Sequence, residues 1–160
     1  MIKQRMIVCP ADRLGYTYRL QSDRASVGEM KFYTLAHRVA VVSVGKRSIE
    51  LMRGGGDLEF CCANEGGERQ ALMLVNLPSR AVRIFGSGET TYLVDTGHMP
   101  ISQLVITRKG IKPGVLVTRR CIGSREQIQS EVRQGEFGGE ELVTLVSLAA
   151  FYLLSSRKAA

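Results

Sequence analysis

Thirteen consecutive residues near the end of the chain, Leu142–Leu154, contain only two polar side chains, Thr144 and Ser147. Glu140 and Glu141 precede the run, and Arg157 and Lys158 follow it. Acids before and bases after suit a helix, because they meet the positive and negative ends of its dipole. The pattern predicts a helix over residues 139–156. A helix that is apolar on nearly every face is buried all round or sits in lipid. A membrane span needs about 20 apolar residues, so this shorter run predicts a buried core helix and no transmembrane span. Such a helix requires a complete apolar container, which the rest of the chain has to supply.

Most of the remaining sequence reads as short strands between turn signals. Gly54-Gly55-Gly56, Asn64-Glu65-Gly66-Gly67, Gly86-Ser87-Gly88 and Asp95-Thr96-Gly97 separate apolar stretches. In Ser48–Arg53 and Ala81–Phe85 the apolar positions recur at a period near two, the signature of a half-buried strand. Turns every 8–12 residues suit a sandwich or barrel built from hairpins. About ten strands exceed a typical sheet, so twist favours closing them into a barrel or folding them into two sheets. The strand region is expected over residues 1–121. Ser124–Gln134 is polar and fits either a short surface helix or a solvent-exposed strand. A shift of 42 positions sets Leu35–Val39 on Leu77–Ala81, Tyr18 on Phe60 and Val42 on Ile84, a pattern of internal repetition.

Length and composition fit one domain over residues 1–160. Apolar residues make up 44% and charged residues 23%, which argues against wholesale disorder. The N-terminus has no continuous apolar segment of the kind a secretory signal needs. Cys9, Cys61, Cys62 and Cys121 form no C-x-x-C pair, so neither a disulfide scaffold nor structural zinc is expected. No cofactor is implied. Reduced thiols in a cytoplasmic setting, with membrane association open, are the expectation.

The strand series, followed by Phe137-x-x-Glu140 and the apolar segment to Leu154, resembles the tubby C-terminal-like superfamily. That group includes tubby domains, phospholipid scramblases and LURP-one-related proteins. The resemblance implies a closed antiparallel barrel around a C-terminal helix. It also implies binding to anionic phospholipid headgroups at a membrane surface. A second resemblance is to Whirly-type single-stranded nucleic-acid binders, carried by Glu141-Leu142-Val143-Thr144-Leu145-Val146-Ser147. Those proteins need two β-then-helix repeats, and no helix reads between Gly55 and Pro100.

Motifs for catalysis are thin. Asp95-Thr96-Gly97 matches the aspartic-protease signature, where one carboxylate shares a proton with a second. No second such triplet occurs, and Asp-Thr-Gly is also an ordinary hairpin turn. Neither Gly54-Gly55-Gly56 nor Gly86-Ser87-Gly88 leads into a helix, as a phosphate loop would. His37 and His98 stand without a nucleophile pattern around them. The chain therefore reads as a binding domain rather than an enzyme.

Charge is more informative. The formal net charge is +7, and Thr96–Arg125 contains no Asp or Glu. Arg108, Lys109, Lys112, Arg119, Arg120 and Arg125 in that stretch carry +6 of it. Arg forks and Lys point charges suit phosphate. These six residues are the candidate anion site. Antiparallel pairing of Ile101–Thr107 with Val115–Val117 would divide them between two ends. The stretch has no aromatic residue, and nucleic-acid grooves add aromatic platforms to positive charge, so a lipid headgroup is favoured. Binding to single-stranded RNA or DNA, or a structural, oligomeric interaction role with purely solubilising charges, are the alternatives. The expected architecture is mainly β, a closed or nearly closed antiparallel β-barrel around a buried C-terminal helix.

Overall fold

The computed structural model describes residues 4–12, 16–22, 25–33, 38–54, 60–65, 69–76, 82–86, 91–95, 103–108, 115–122, 125–132 and 139–156. These hold twelve antiparallel strands and one helix. The strands are β1 (Gln4–Pro10), β2 (Thr17–Ser22), β3 (Ser26–Phe32), β4 (Val39–Val44), β5 (Arg47–Gly54) and β6 (Phe60–Glu65). They continue as β7 (Arg69–Asn76), β8 (Val82–Gly86), β9 (Thr91–Asp95), β10 (Gln103–Arg108), β11 (Val115–Ile122) and β12 (Arg125–Val132). The helix, α1, is Gly139–Ser156. The protein is thus mainly antiparallel β with one C-terminal helix.

Each strand pairs with its neighbours in sequence, and β1 pairs with both β2 and β12. The order of hydrogen-bonded neighbours is β1-β12-β11-β10-β9-β8-β7-β6-β5-β4-β3-β2. Odd-numbered strands therefore all finish at one end of the sheet, the upper end, and even-numbered strands at the lower end. The Gly-rich signals fall where strands stop: Gly54 ends β5 and Gly86 ends β8. Between β4 and β5, Gly45 takes a φ of 58°. Val44 pairs with Arg47 across it, so the positive φ sits in a two-residue hairpin, where glycine is favoured.

The strand region extends beyond residue 121. Ser124–Gln134 contains β12, the strand alternative of the sequence reading. Its polar composition obscures it, because only one face carries a recognisable anchor, the fully buried Ile128. Main-chain pairing to β11 and β1 on both edges satisfies its backbone instead.

Alternation sets the inner face. In β5, Arg47, Ile49, Leu51 and Arg53 alternate with exposed Ser48, Glu50 and Met52, and Ile49, Leu51 and Arg53 are buried. Partners directly opposite share a face, so Val8, Leu20, Met30, Val42, Ile49, Leu51 and Ala63 build one buried surface. The helix fills the space over it. Every residue from Leu142 to Ser155 is buried, as its all-round apolar pattern demands. Its backbone runs close to β5, β6 and β11. α1 thus approaches strands from separate parts of the neighbour order. Phe32 joins wall to helix, stacking on Phe151 at 5.7 Å and meeting Tyr18 edge-on at 5.8 Å.

Candidate anion-binding site

Four of the six sequence-predicted cations lie on described strands. Arg108 ends β10 and pairs with Tyr92. Arg119 and Arg120 lie on β11, opposite Ile128 and Gln127, and Arg125 opens β12 opposite Ile122. Lys109 and Lys112 lie outside the described residues, as do Thr96 and Gly97 of the Asp-Thr-Gly triplet. The pairing of Gln103 with Thr118 and Ile106 with Val115 separates the charges into two groups. Arg119, Arg120 and Arg125 are at the upper end. Arg108 is at the lower end, about 20 Å away along the strands at ~3.3 Å per residue.

The upper group is compact. Arg125 stands two positions from Gln127, the partner of Arg120. That makes Arg120 and Arg125 diagonal neighbours, about 7–8 Å apart. Their register alternates with that of buried Ile128, whereas Arg119 occupies Ile128's own row. The direct partners Ile122, Gln127 and Ile128 are uncharged, and the one acid among these pairs, Glu126 opposite Cys121, falls in register with Arg119 and alternates with Arg120 and Arg125. The register thus puts Arg120 and Arg125 together in rows that hold no acid, and phosphate oxygens are the groups best matched to such a pair.

Two further arginines, not singled out by sequence, organise the interior. Arg47 donates from its Nη2 to Thr144 Oγ1 at 2.8 Å, and Arg53 donates from its Nη1 to Ser155 Oγ at 2.9 Å. Arg53 is only 6% exposed, and its guanidinium carbon lies 5.8 Å from the Tyr152 ring centroid. Ser155 in turn donates to the Tyr152 carbonyl at 3.3 Å. Six strand residues span about 20 Å, and the eleven helical steps from Thr144 to Ser155 span about 16 Å. The two contacts therefore fix α1 alongside β5, with its C-terminus at the upper end. Sequence points to Arg157 and Lys158 as partners for that negative helix end. Those two residues lie outside the described set, and Arg53 of β5 fills the role from the wall. Its signal was available: Arg53 shares the parity of Ile49 and Leu51.

Among the described residues no cluster of His, Cys, Asp and Glu is arranged to hold a metal ion. Cys62 is half-buried, and desolvation pushes its thiol up from the ordinary value. No described helix is long and apolar enough to cross a membrane. No protein-family model, curated protein or solved structure matches the chain significantly.

Proposed function

We propose that the chain is a non-catalytic domain that holds anionic phospholipid headgroups at a membrane surface through Arg120 and Arg125, whose rows alternate with that of buried Ile128, whereas Arg119 shares Ile128's row. The observation that carries this reading is the upper end of β11 and β12. Arg120 and Arg125 are diagonal neighbours there in rows without an acid, and Thr96–Arg125 as a whole contains none. We further propose that the neighbour order makes a closed barrel with α1 as its filling. Eight strands leave an interior that side chains alone fill, and more strands leave a wider one. A buried helix suits twelve. Twelve strands and a wholly buried terminal helix also support kinship with the tubby-like superfamily.

The scaffold explains why charge is free to act. With the interior sealed by α1 and its two arginine contacts, the outer face has no structural task beyond solubility. Each basic residue near an anionic surface contributes about 1 kcal/mol. Reversing two of them changes four charges, so Arg120→Glu/Arg125→Glu should weaken vesicle binding at least about a hundred-fold. Arg108→Glu should change it less than about two-fold, given its ~20 Å separation. The assay is co-sedimentation with phosphatidylcholine vesicles containing phosphatidylserine or a phosphoinositide, beside titration with a single-stranded oligonucleotide. A thermal melt checks that each variant folds. Undiminished binding by Arg120→Glu/Arg125→Glu would remove the site. Binding to the oligonucleotide but not to vesicles would establish the nucleic-acid reading instead.

A further inference from the structure

On the outer face of β3–β6, exposure, chemistry and register together form a graded surface. The exposed large apolar side chains among the described residues are Tyr33, at 61%, and Met52, at 45%. They belong to one row. The Tyr33 amide donates to the Val39 carbonyl at 3.0 Å, Val39 pairs with Met52, and Met52 pairs with half-buried Cys62. This row lies toward the upper end, where β3 and β5 finish. The next row down holds exposed Lys31 and Glu50 with Val41 between them. The row below that holds exposed Glu29, Ser43 and Ser48. Lys31 Nζ sits 5.7 Å from the Tyr33 ring centroid. Exposed Arg38 lies at the same upper end, its carbonyl accepting from the Arg53 amide at 2.8 Å.

We infer that this upper rim is an interfacial insertion edge for an anionic bilayer, with Tyr33 and Met52 entering the headgroup–acyl boundary. The inference rests on the headgroup reading above and adds an apolar component to it. The order along the strands matches the polarity profile of a membrane surface. An aromatic and a thioether come first, Lys31 and Glu50 share the row behind them, and Glu29 is set one row further back. Tyrosine favours the interface because its ring is apolar and its hydroxyl remains wet. Lys31 keeps its charge among headgroups while its stem lies against the ring. The arginines of β11 and β12 are at the same end. Four strand spacings separate β11 from β3, about 19 Å around the sheet, so one flat bilayer reaches both.

The chain has no tryptophan, so Tyr33→Trp and, separately, Met52→Trp each install a unique fluorophore at an exposed position. Each variant is mixed with phosphatidylcholine vesicles with or without phosphatidylserine, and with vesicles brominated along the acyl chains. Co-sedimentation is measured on the same samples. The expected result is a blue shift with anionic vesicles and quenching by the brominated lipid. Tyr33→Ser/Met52→Ser should bind about ten-fold more weakly, from the lost apolar contact. Sedimentation of either tryptophan variant with unshifted, unquenched emission would overturn insertion and leave headgroup binding standing. Failure to sediment, with wild type also unbound, would overturn both. A blue shift that rises with protein concentration and needs no lipid would assign the rim to a second copy of the chain and overturn the bilayer.

Discussion

Replacing Ser155 with alanine removes one oxygen from the junction between helix and wall, and its cost can be worked from the contacts. The hydroxyl accepts from Arg53 Nη1 at 2.9 Å and donates to the Tyr152 carbonyl at 3.3 Å. Ser155 is 1% exposed and Arg53 is 6% exposed, so bulk water cannot simply take the missing oxygen's place. A hydrogen bond to a charged group contributes about 1.5–3 kcal/mol. The longer bond to Tyr152 adds little, because that carbonyl belongs to the helix end. Ser155→Ala should therefore destabilise by about 2 kcal/mol, lowering Tm by about 4–8 °C for a chain of this size. Arg53→Met removes the charge at similar volume. It loses the contact with Tyr152, worth about 0.5–2 kcal/mol, but also removes the cost of keeping a charge out of water. In the Arg53→Met background, Ser155→Ala should cost less than about 0.5 kcal/mol, because no cation remains for the oxygen to satisfy. Urea melts of the four proteins give the coupling energy. A coupling near zero would refute the argument that Ser155 stabilises the fold through Arg53.

Leu148 is fully buried at mid-helix, so Leu148→Asp should abolish the cooperative thermal transition followed by circular dichroism. An unpaired buried charge costs several kcal/mol against a total stability of about 5–15 kcal/mol. At Gly28, an added Cβ would meet Ser43 O at 2.5 Å and Val44 Cγ2 at 2.7 Å. Gly28→Ala should thus lose about 1–3 kcal/mol in a urea melt, because the Ser43 main chain must shift. Desolvation raises the Cys62 thiol, so its thiolate should form at higher pH than that of a free cysteine. The rate of iodoacetamide modification at Cys62, followed by mass spectrometry, should keep rising past the pH at which a free cysteine levels off.

The helix was legible because its composition admits one physical solution. A run with only Thr144 and Ser147 polar has to be enclosed, and both are buried. Thr144 then meets Arg47. Strands were legible where apolar alternation met glycine turns, as from β4 to β5. β12 was ambiguous because Arg-Glu-Gln-Ile-Gln-Ser-Glu-Val offers little inward signal, and main-chain pairing on both sides is invisible in side-chain pattern. Arg53 was passed over because charge ordinarily marks the wet face. Its parity with Ile49 and Leu51 pointed inward, and only the helix end explains how that charge is accommodated. The division of the basic stretch was legible, since antiparallel pairing carries Arg119 away from Arg108. The rim formed by Tyr33 and Met52 was not. These residues are far apart in sequence, and only the β3–β4–β5 register puts them in one row.

The internal repetition acquires a structural meaning once strand starts are compared. Thr17, Phe60 and Gln103 open β2, β6 and β10, in equal steps of 43 residues (17 to 60 to 103). Val39, Val82 and Arg125 open β4, β8 and β12 with the same step (39 to 82 to 125). The step also keeps buried positions on buried positions: Leu20, Ala63 and Ile106 follow one another at 43 and are all buried. The sequence offset of 42 would set Leu20 on half-buried Cys62, and a one-residue slip exchanges faces. β2–β5 and β6–β9 are then two four-strand units, and β10–β12 begin a third. The place of its fourth strand, beside β12 and before β2, is taken by β1. The N-terminal strand is thereby paired along both of its own edges. Backbone recurrence leaves composition to distinguish the units. The first supplies Arg47 and Arg53 to the helix, and the third holds most of the acid-free segment. The charge that contacts the helix and the charge proposed to meet headgroups thus lie in different units of similar architecture, which is why net charge alone could not separate them.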